Sequence, residues 1–202
     1  MWSIICNVGL LFFGILGCVL ELKLHKVAVL KYYTFQSNVL GTIAAALMLY
    51  GIYIGRGIPP TGILVFKLLA TSCLTLTFVV VVTVLAPMMG EGGYKFQLLA
   101  GNLKYQHLLC PLIAIASFVI CDYKLDFDIR WIIIAWLPTV IYAAVTITLN
   151  ILRKLEGPYP FLEVYKQPWW ASVLWCVGIL AAQFIMVTVL LYVQNCIGKI
   201  ML

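Results

Sequence analysis

Six long runs of apolar residues divide the chain, and each is long enough to cross a bilayer as a helix. They cover residues 2–20, 34–55, 63–86, 105–121, 131–150 and 171–195. A hydrocarbon layer about 30 Å thick needs about 20 residues of helix, at 1.5 Å rise per residue. Backbone groups inside lipid must bond to one another, so apolar runs of this length predict helices rather than open strands. Composition agrees: the chain is 64% hydrophobic and 10% charged, where soluble domains carry about 25% charged residues. The sequence predicts an all-α fold, a polytopic integral membrane protein built as one six-transmembrane-helix bundle spanning residues 1–202. The net charge of +6 lies mostly in the connections. In this setting it speaks to topology and anionic lipid, not to nucleic acid.

The first run has no Lys or Arg before Glu21, so it lacks the basic start of a signal peptide and is expected to span the membrane. Between it and the second run lies a basic loop with Lys23, His25, Lys26 and Lys31. Lys67, near the start of the third run, is expected to snorkel to the headgroups. Residues 87–104 form the next connection, amphipathic around Tyr94-Lys95-Phe96, and residues 122–130 a charged loop. Trp169-Trp170 anchors the last helix at an interface. None of the seven cysteines forms a C-x-x-C pair, and all lie in or beside apolar runs. They are expected to be free thiols acting as small apolar side chains.

Six spans bring connections 1–2, 3–4 and 5–6 to one membrane face. These carry eight basic residues, Lys23, Lys26, Lys31, Lys95, Lys104, Arg153, Lys154 and Lys166. The opposite side carries five, Arg56, Lys67, Lys124, Arg130 and Lys199. The positive-inside rule puts the first set in the cytoplasm.

Three polar patches share that face. The first, Lys31 to Asn38, opens the second run, and its Thr34, Ser37, Asn38 and Gly41 fall on one side of a helix. Lipid would not tolerate that side, so it is expected to face other helices or a pocket. The second patch is Lys104-Tyr105-Gln106-His107, followed by Pro111, which leaves the His107 carbonyl without its usual helical partner. The third is Gly157 to Glu163, before the last run. A polar stripe of Thr139, Tyr142, Thr146 and Asn150 on the fifth run completes the candidates.

His107 is the one histidine in an apolar segment, and an imidazole suits general-base work near neutral pH. Thr34 offers a hydroxyl that such a base can activate. Gln36, Asn38 and Gln106 are candidate donors to an oxyanion, and Ser37, Tyr142, Tyr159 and Glu163 are further candidates for binding or for orienting His107. The chemistry that fits is acyl transfer from an amphiphilic lipid ester to water. The plainer alternative makes Thr34 a helix N-cap and His107 a bridge between helices. The chain would then be a lipid-binding, regulatory or transport protein. There is no G-x-S-x-G elbow, no H-E-x-x-H and no metal-ligand spacing, so no cofactor or metal is expected.

Tyr33-Thr34-Phe35-Gln36-Ser37-Asn38, His107 with Pro111, Leu137-Pro138 with Tyr142, and Pro158-Tyr159-Pro160-Phe161-Leu162-Glu163 occur in this order along most of the chain. In these motifs the sequence resembles the androgen-induced and androgen-dependent membrane hydrolases of animals and their six-helix bacterial relatives. The likeness is nearer to the bacterial branch, which implies a bacterial plasma membrane. The animal members hydrolyse fatty acid esters of hydroxy fatty acids with a threonine nucleophile and a histidine. The resemblance places these on Thr34 and His107. The animal members set their proline one residue further from the histidine and lack Gln-Ser-Asn after Thr-Phe.

Overall fold

The computed structural model describes residues 1–200, with side chains to residue 197, so Lys199 lies outside the described side chains. Among the described residues there is no strand. The helices are α1 (Trp2–His25), α2 (Tyr33–Ile54), α3 (Thr61–Met88), α4 (Gly93–Leu99), α5 (Lys104–Cys121), α6 (Ile129–Ile151) and α7 (Trp169–Ile200). All except α4 are long and apolar enough to cross a membrane, so the protein is an integral, multi-pass all-α bundle.

The central helix is α3. It packs against α2, α5, α6 and α7, and half of its most apolar stretch is buried, against 17% for α7. The core between these helices holds Met48, Leu68, Phe118, Ile132 and Leu191. The outer surface keeps apolar residues such as Phe12, Ile141 and Leu174 exposed, as a lipid-facing surface should.

Small residues set the closest approaches, as in other membrane bundles. A Cβ on Gly14 of α1 would run into the Thr42 hydroxyl of α2. One on Gly41 of α2 would come within 2.5 Å of Leu74 on α3. A Cβ on Gly9, by contrast, would meet nothing within 4 Å. Gly14→Leu is therefore expected to push α1 from α2 and to cost about 1–3 kcal/mol through overpacking. Gly9→Leu is expected to change little. Thermal unfolding of both variants in one detergent checks the contrast.

The structure corrects four expectations. The basic loop at 21–31 is helical: α1 runs on to His25, and Lys26–Lys31 form a 3-10 turn. At 24 residues α1 is longer than the roughly 20 residues that a hydrocarbon layer requires. The connection at 87–104 contains α4, whose entry turn needs Gly92 at φ 82°. Lys67 does not snorkel. It is 1% exposed, and its Nζ donates to Asn7 Oδ1 at 2.6 Å and faces Asp122 Oδ2 at 3.6 Å. Asp122, the first residue of the expected charged loop, has a buried side chain and is the partner of that lysine. Its carboxylate also accepts from Ser3 Oγ (2.5 Å), Asn7 Nδ2 (3.0 Å) and Ser117 Oγ (2.9 Å). A buried charge this well supplied with donors and an opposite charge has no reason to seek water.

Candidate functional site

The site lies at the end of the bundle opposite the Lys67–Asp122 pair. It begins with the first turn of α2, whose N–H groups have no partners within the helix. Tyr32 precedes this turn in extended conformation and its side chain makes no cap. Thr34 is therefore not the N-cap but lies inside the helix. Its N–H donates to the phenol oxygen of Tyr159 at 3.2 Å, a residue 125 positions away. The Thr34 and Tyr159 hydroxyl oxygens are 3.3 Å apart.

Local sequence explains how Tyr159 reaches that point. It sits between Pro158 and Pro160, and the residue before a proline is held extended, here at φ −134° and ψ 149°. A short 3-10 turn follows, closed by the Leu162 N–H donating to the Tyr159 carbonyl at 2.9 Å. Phe161 and Leu162 are buried and anchor the segment. Gly157 is required, since a Cβ there would lie 2.6 Å from the Leu162 carbonyl oxygen. The Tyr159 ring stacks on Phe161 with centroids 5.2 Å apart. The residue is half-buried but its phenol group is enclosed, and this burial pushes the phenol above its ordinary pKa of 10. Tyr159 therefore keeps its proton at neutral pH: its oxygen accepts from the Thr34 N–H, and its O–H remains available to donate.

Two more tyrosines hold the α2 mouth in place. Tyr33 shares a 2.7 Å hydrogen bond with Thr139, and its ring meets Tyr142 edge-on at 5.0 Å. Tyr142 donates to the Lys31 carbonyl at 2.8 Å. The polar stripe of α6 thus faces the interior through Thr139, Thr146 and Asn150, all buried.

His107 comes from α5. Residues Lys104–Leu109 are wound as a π turn just before Pro111. The proline has no N–H to give the preceding turn, and a wider turn is a common accommodation near functional sites. The imidazole is 5% exposed, with Nδ1 2.8 Å from the Gln97 carbonyl oxygen of α4. A carbonyl only accepts, so Nδ1 carries the proton and Nε2 is the ring's acceptor. The orienting partner of His107 is therefore a main-chain carbonyl, while the Gln97 side chain reaches Met89 sulfur at 3.2 Å.

Thr34 and His107 line one cavity of about 540 Å³, together with Gln106, Tyr159 and, at the mouth, Glu21 and His25. Glu21 is fixed there by the Asn102 side-chain amide. A narrower apolar cavity of about 50 Å³ adjoins it, bounded by Leu76, Val80 and Ile179 and sharing Thr34 and Tyr159. Thr34 thus stands where the larger cavity, whose mostly apolar wall carries a few polar groups, meets the narrower apolar one.

Several candidates are placed differently from the sequence expectation. Gln36 is off the cavity: its amide donates to the Leu30 carbonyl at 2.7 Å, and the side chain borders an outer groove between α2 and α6. Asn38 is buried, with its N–H groups on the Thr34 and Gln106 carbonyls at 2.8 and 3.2 Å, so it has no donor left for an oxyanion. Ser37 bonds to the Thr34 carbonyl and to Thr77, at 2.9 and 2.8 Å. Gln106 reaches the cavity wall, but its amide donates to the Gly17 carbonyl at 3.2 Å. Tyr142 lines the apolar cavity. Glu163 lies outside both cavities and pairs with Lys166 at 3.0 Å. Of these groups, Ser37 and Asn38 bond directly to the Thr34 carbonyl and serve the helix packing that holds it. Sequence reasoning missed Gln97, Glu21 and Asn102, and its one trace was the amphipathic pattern around Phe96. Among the described residues no three His, Cys, Asp or Glu side chains are grouped so that they could hold a metal ion.

The chain matches no family model, no curated protein and no solved structure.

Proposed function

We propose that the protein is a membrane-embedded lipid ester hydrolase with Thr34 as nucleophile and His107 as general base. The observation that carries this reading is that the two side chains, from different helices, line a single cavity at the membrane face. Thr34 Oγ1 attacks the ester carbonyl carbon while His107 Nε2 takes its proton. The imidazolium is steadied by its Nδ1–H bond to the Gln97 carbonyl. The Tyr159 hydroxyl, beside Thr34, and the positive end of the α2 dipole are placed to meet the oxyanion. The tetrahedral intermediate collapses, and His107 returns the proton to the leaving alcohol. Water, deprotonated by His107, then releases the fatty acid from acyl-threonine. The adjoining apolar cavity suits part of an acyl chain, and the wide mouth suits the rest of an amphiphile. The resemblance to the animal hydrolases points to fatty acid esters of hydroxy fatty acids as substrates.

The test is labelling of the detergent-purified protein with a fluorophosphonate, followed by mapping of the adduct by mass spectrometry. The expected result is an adduct on Thr34 that disappears in His107→Ala. A folded wild-type protein that takes no label argues against an activated Thr34.

One observation favours a second reading. The hydrogen-bond partner of the Thr34 hydroxyl is Tyr159, not His107. In a lipid-binding protein without turnover, that contact would be the end of its role. Co-purified lipid with no hydrolysis at any pH would favour this reading.

A further inference from the structure

At the opposite face from the candidate site, two of the seven cysteines meet. Cys6 stands in the second turn of α1 and Cys121 is the last residue of α5. Their sulfurs are 3.8 Å apart although the residues are 115 apart in sequence. Both side chains are partly exposed, whereas Cys73 and Cys110 are buried. This pair departs from the expectation that every thiol is an isolated apolar filler. We propose that Cys6 and Cys121 form a redox-active dithiol, which closes to a disulfide and locks the end of α5 to the start of α1.

Several features favour closure. A disulfide has its sulfurs about 2.05 Å apart, so they must approach by roughly 1.7 Å, within reach of modest χ1 rotation. Cys121 ends a π turn, Ser117–Cys121, and the next residue, Asp122, is extended. The chain can adjust there without breaking a regular helix. The pair lies beside the buried cluster of Ser3, Asn7 and Asp122, which already holds α1 against α5. The environment also fits. With Lys67 neutralised by Asp122, the far side keeps four of its five basic residues against eight on the site side. The positive-inside rule then turns Cys6 and Cys121 away from the cytoplasm, toward the compartment where disulfides persist.

The oxidant is a disulfide of the thiol-exchange class. One cysteine, as thiolate, attacks the reagent's disulfide, forms a mixed disulfide and expels one thiolate. The second cysteine attacks the protein sulfur of that mixed disulfide and expels the other. The net change is two protein thiols oxidised to one disulfide and one reagent disulfide reduced to two thiols.

The full-length protein in detergent is treated with oxidised glutathione, denatured, alkylated with N-ethylmaleimide and digested. The expected product is a bridged peptide containing Cys6 and Cys121, two hydrogens lighter than the reduced pair. Alkylation of the other five cysteines is expected to be unchanged. The bridged protein is expected to unfold at a higher temperature than the reduced one, and Cys6→Ser is expected to show neither the bridge nor the shift. Full alkylation of Cys6 and Cys121 after oxidation overturns the proposal, and so does bridging of either one to a different cysteine. A bridge that leaves the unfolding temperature unchanged overturns the lock. The mapping uses the unaltered protein, so it does not depend on the variant folding.

Discussion

Thr34→Ala is expected to lower turnover of a fatty acyl ester by about 10⁴-fold or more, the usual scale for removing an activated nucleophile. Its effect on stability is expected to be small. The hydroxyl makes one 3.3 Å contact with Tyr159, while the Thr34 N–H bond to the same phenol survives the change. The helix keeps its register, because Ser37 and Asn38 bond to the Thr34 carbonyl and not to its side chain. Thr34→Ser retains a hydroxyl at position 34 and is expected to keep measurable turnover. Tyr159→Phe separates chemistry from packing. It preserves the stack on Phe161 but removes the donor beside Thr34, and a loss of about 10²–10³-fold in kcat is expected. Initial rates on a panel of lipid esters, with unfolding temperatures alongside, decide the matter. Full turnover in Thr34→Ala would remove it as nucleophile. Equal losses in Thr34→Ser and Thr34→Ala would mean that position 34 acts through shape rather than through its hydroxyl.

The second large effect concerns stability. Asp122→Ala is expected to destabilise the protein by about 3–5 kcal/mol, because it strands a buried ammonium. Lys67 would keep one acceptor, Asn7 Oδ1 at 2.6 Å, in a site where it is 1% exposed. Lys67→Met is expected to cost less. The carboxylate it leaves behind retains three donors, from Ser3, Asn7 and Ser117. Combining Lys67→Met with Asp122→Asn removes both charges and keeps groups able to bond to the surrounding hydroxyls. The double variant is expected to be more stable than the sum of the two single losses allows. Denaturant unfolding in mixed micelles gives the comparison. If Lys67→Met proved the more damaging of Lys67→Met and Asp122→Ala, the donors around Asp122 would not be carrying the charge as the geometry indicates.

The two buried charges also show where reading a sequence fails. Lys67 and Asp122 each stand near the end of an apolar run, where a lone charge is ordinarily solvated. Only the fold, which brings Lys67 of α3 to Asp122 at the end of α5, reveals that each is the other's partner. The spans themselves were legible, because length and apolarity suffice to require helices in lipid. Thr34 and His107 were legible as polar groups at helix mouths that must face inward. The surplus candidates arose from chemistry counted without direction. Gln36 lies off the face shared by Thr34, Ser37 and Asn38, so helical geometry alone was enough to exclude it from the cavity. Glu163 follows the buried Phe161-Leu162 anchor and emerges to meet Lys166. α4 escaped detection because seven residues beside two glycines carry too little periodicity to stand out.

The orienting group of His107 is a peptide carbonyl, so a scan of side chains cannot delete it. Gln97→Ala would leave the carbonyl in place, and a survey of single substitutions would return Thr34, His107 and Tyr159 but no side chain that orients the imidazole. The vulnerable positions are the ones that aim the carbonyl. Gly92 holds a left-handed φ of 82°, and a Cβ on Gly93 would strike the Ala86 carbonyl. Substitutions at these two glycines, neither of which borders the cavity, would damage the site while leaving every reactive side chain intact.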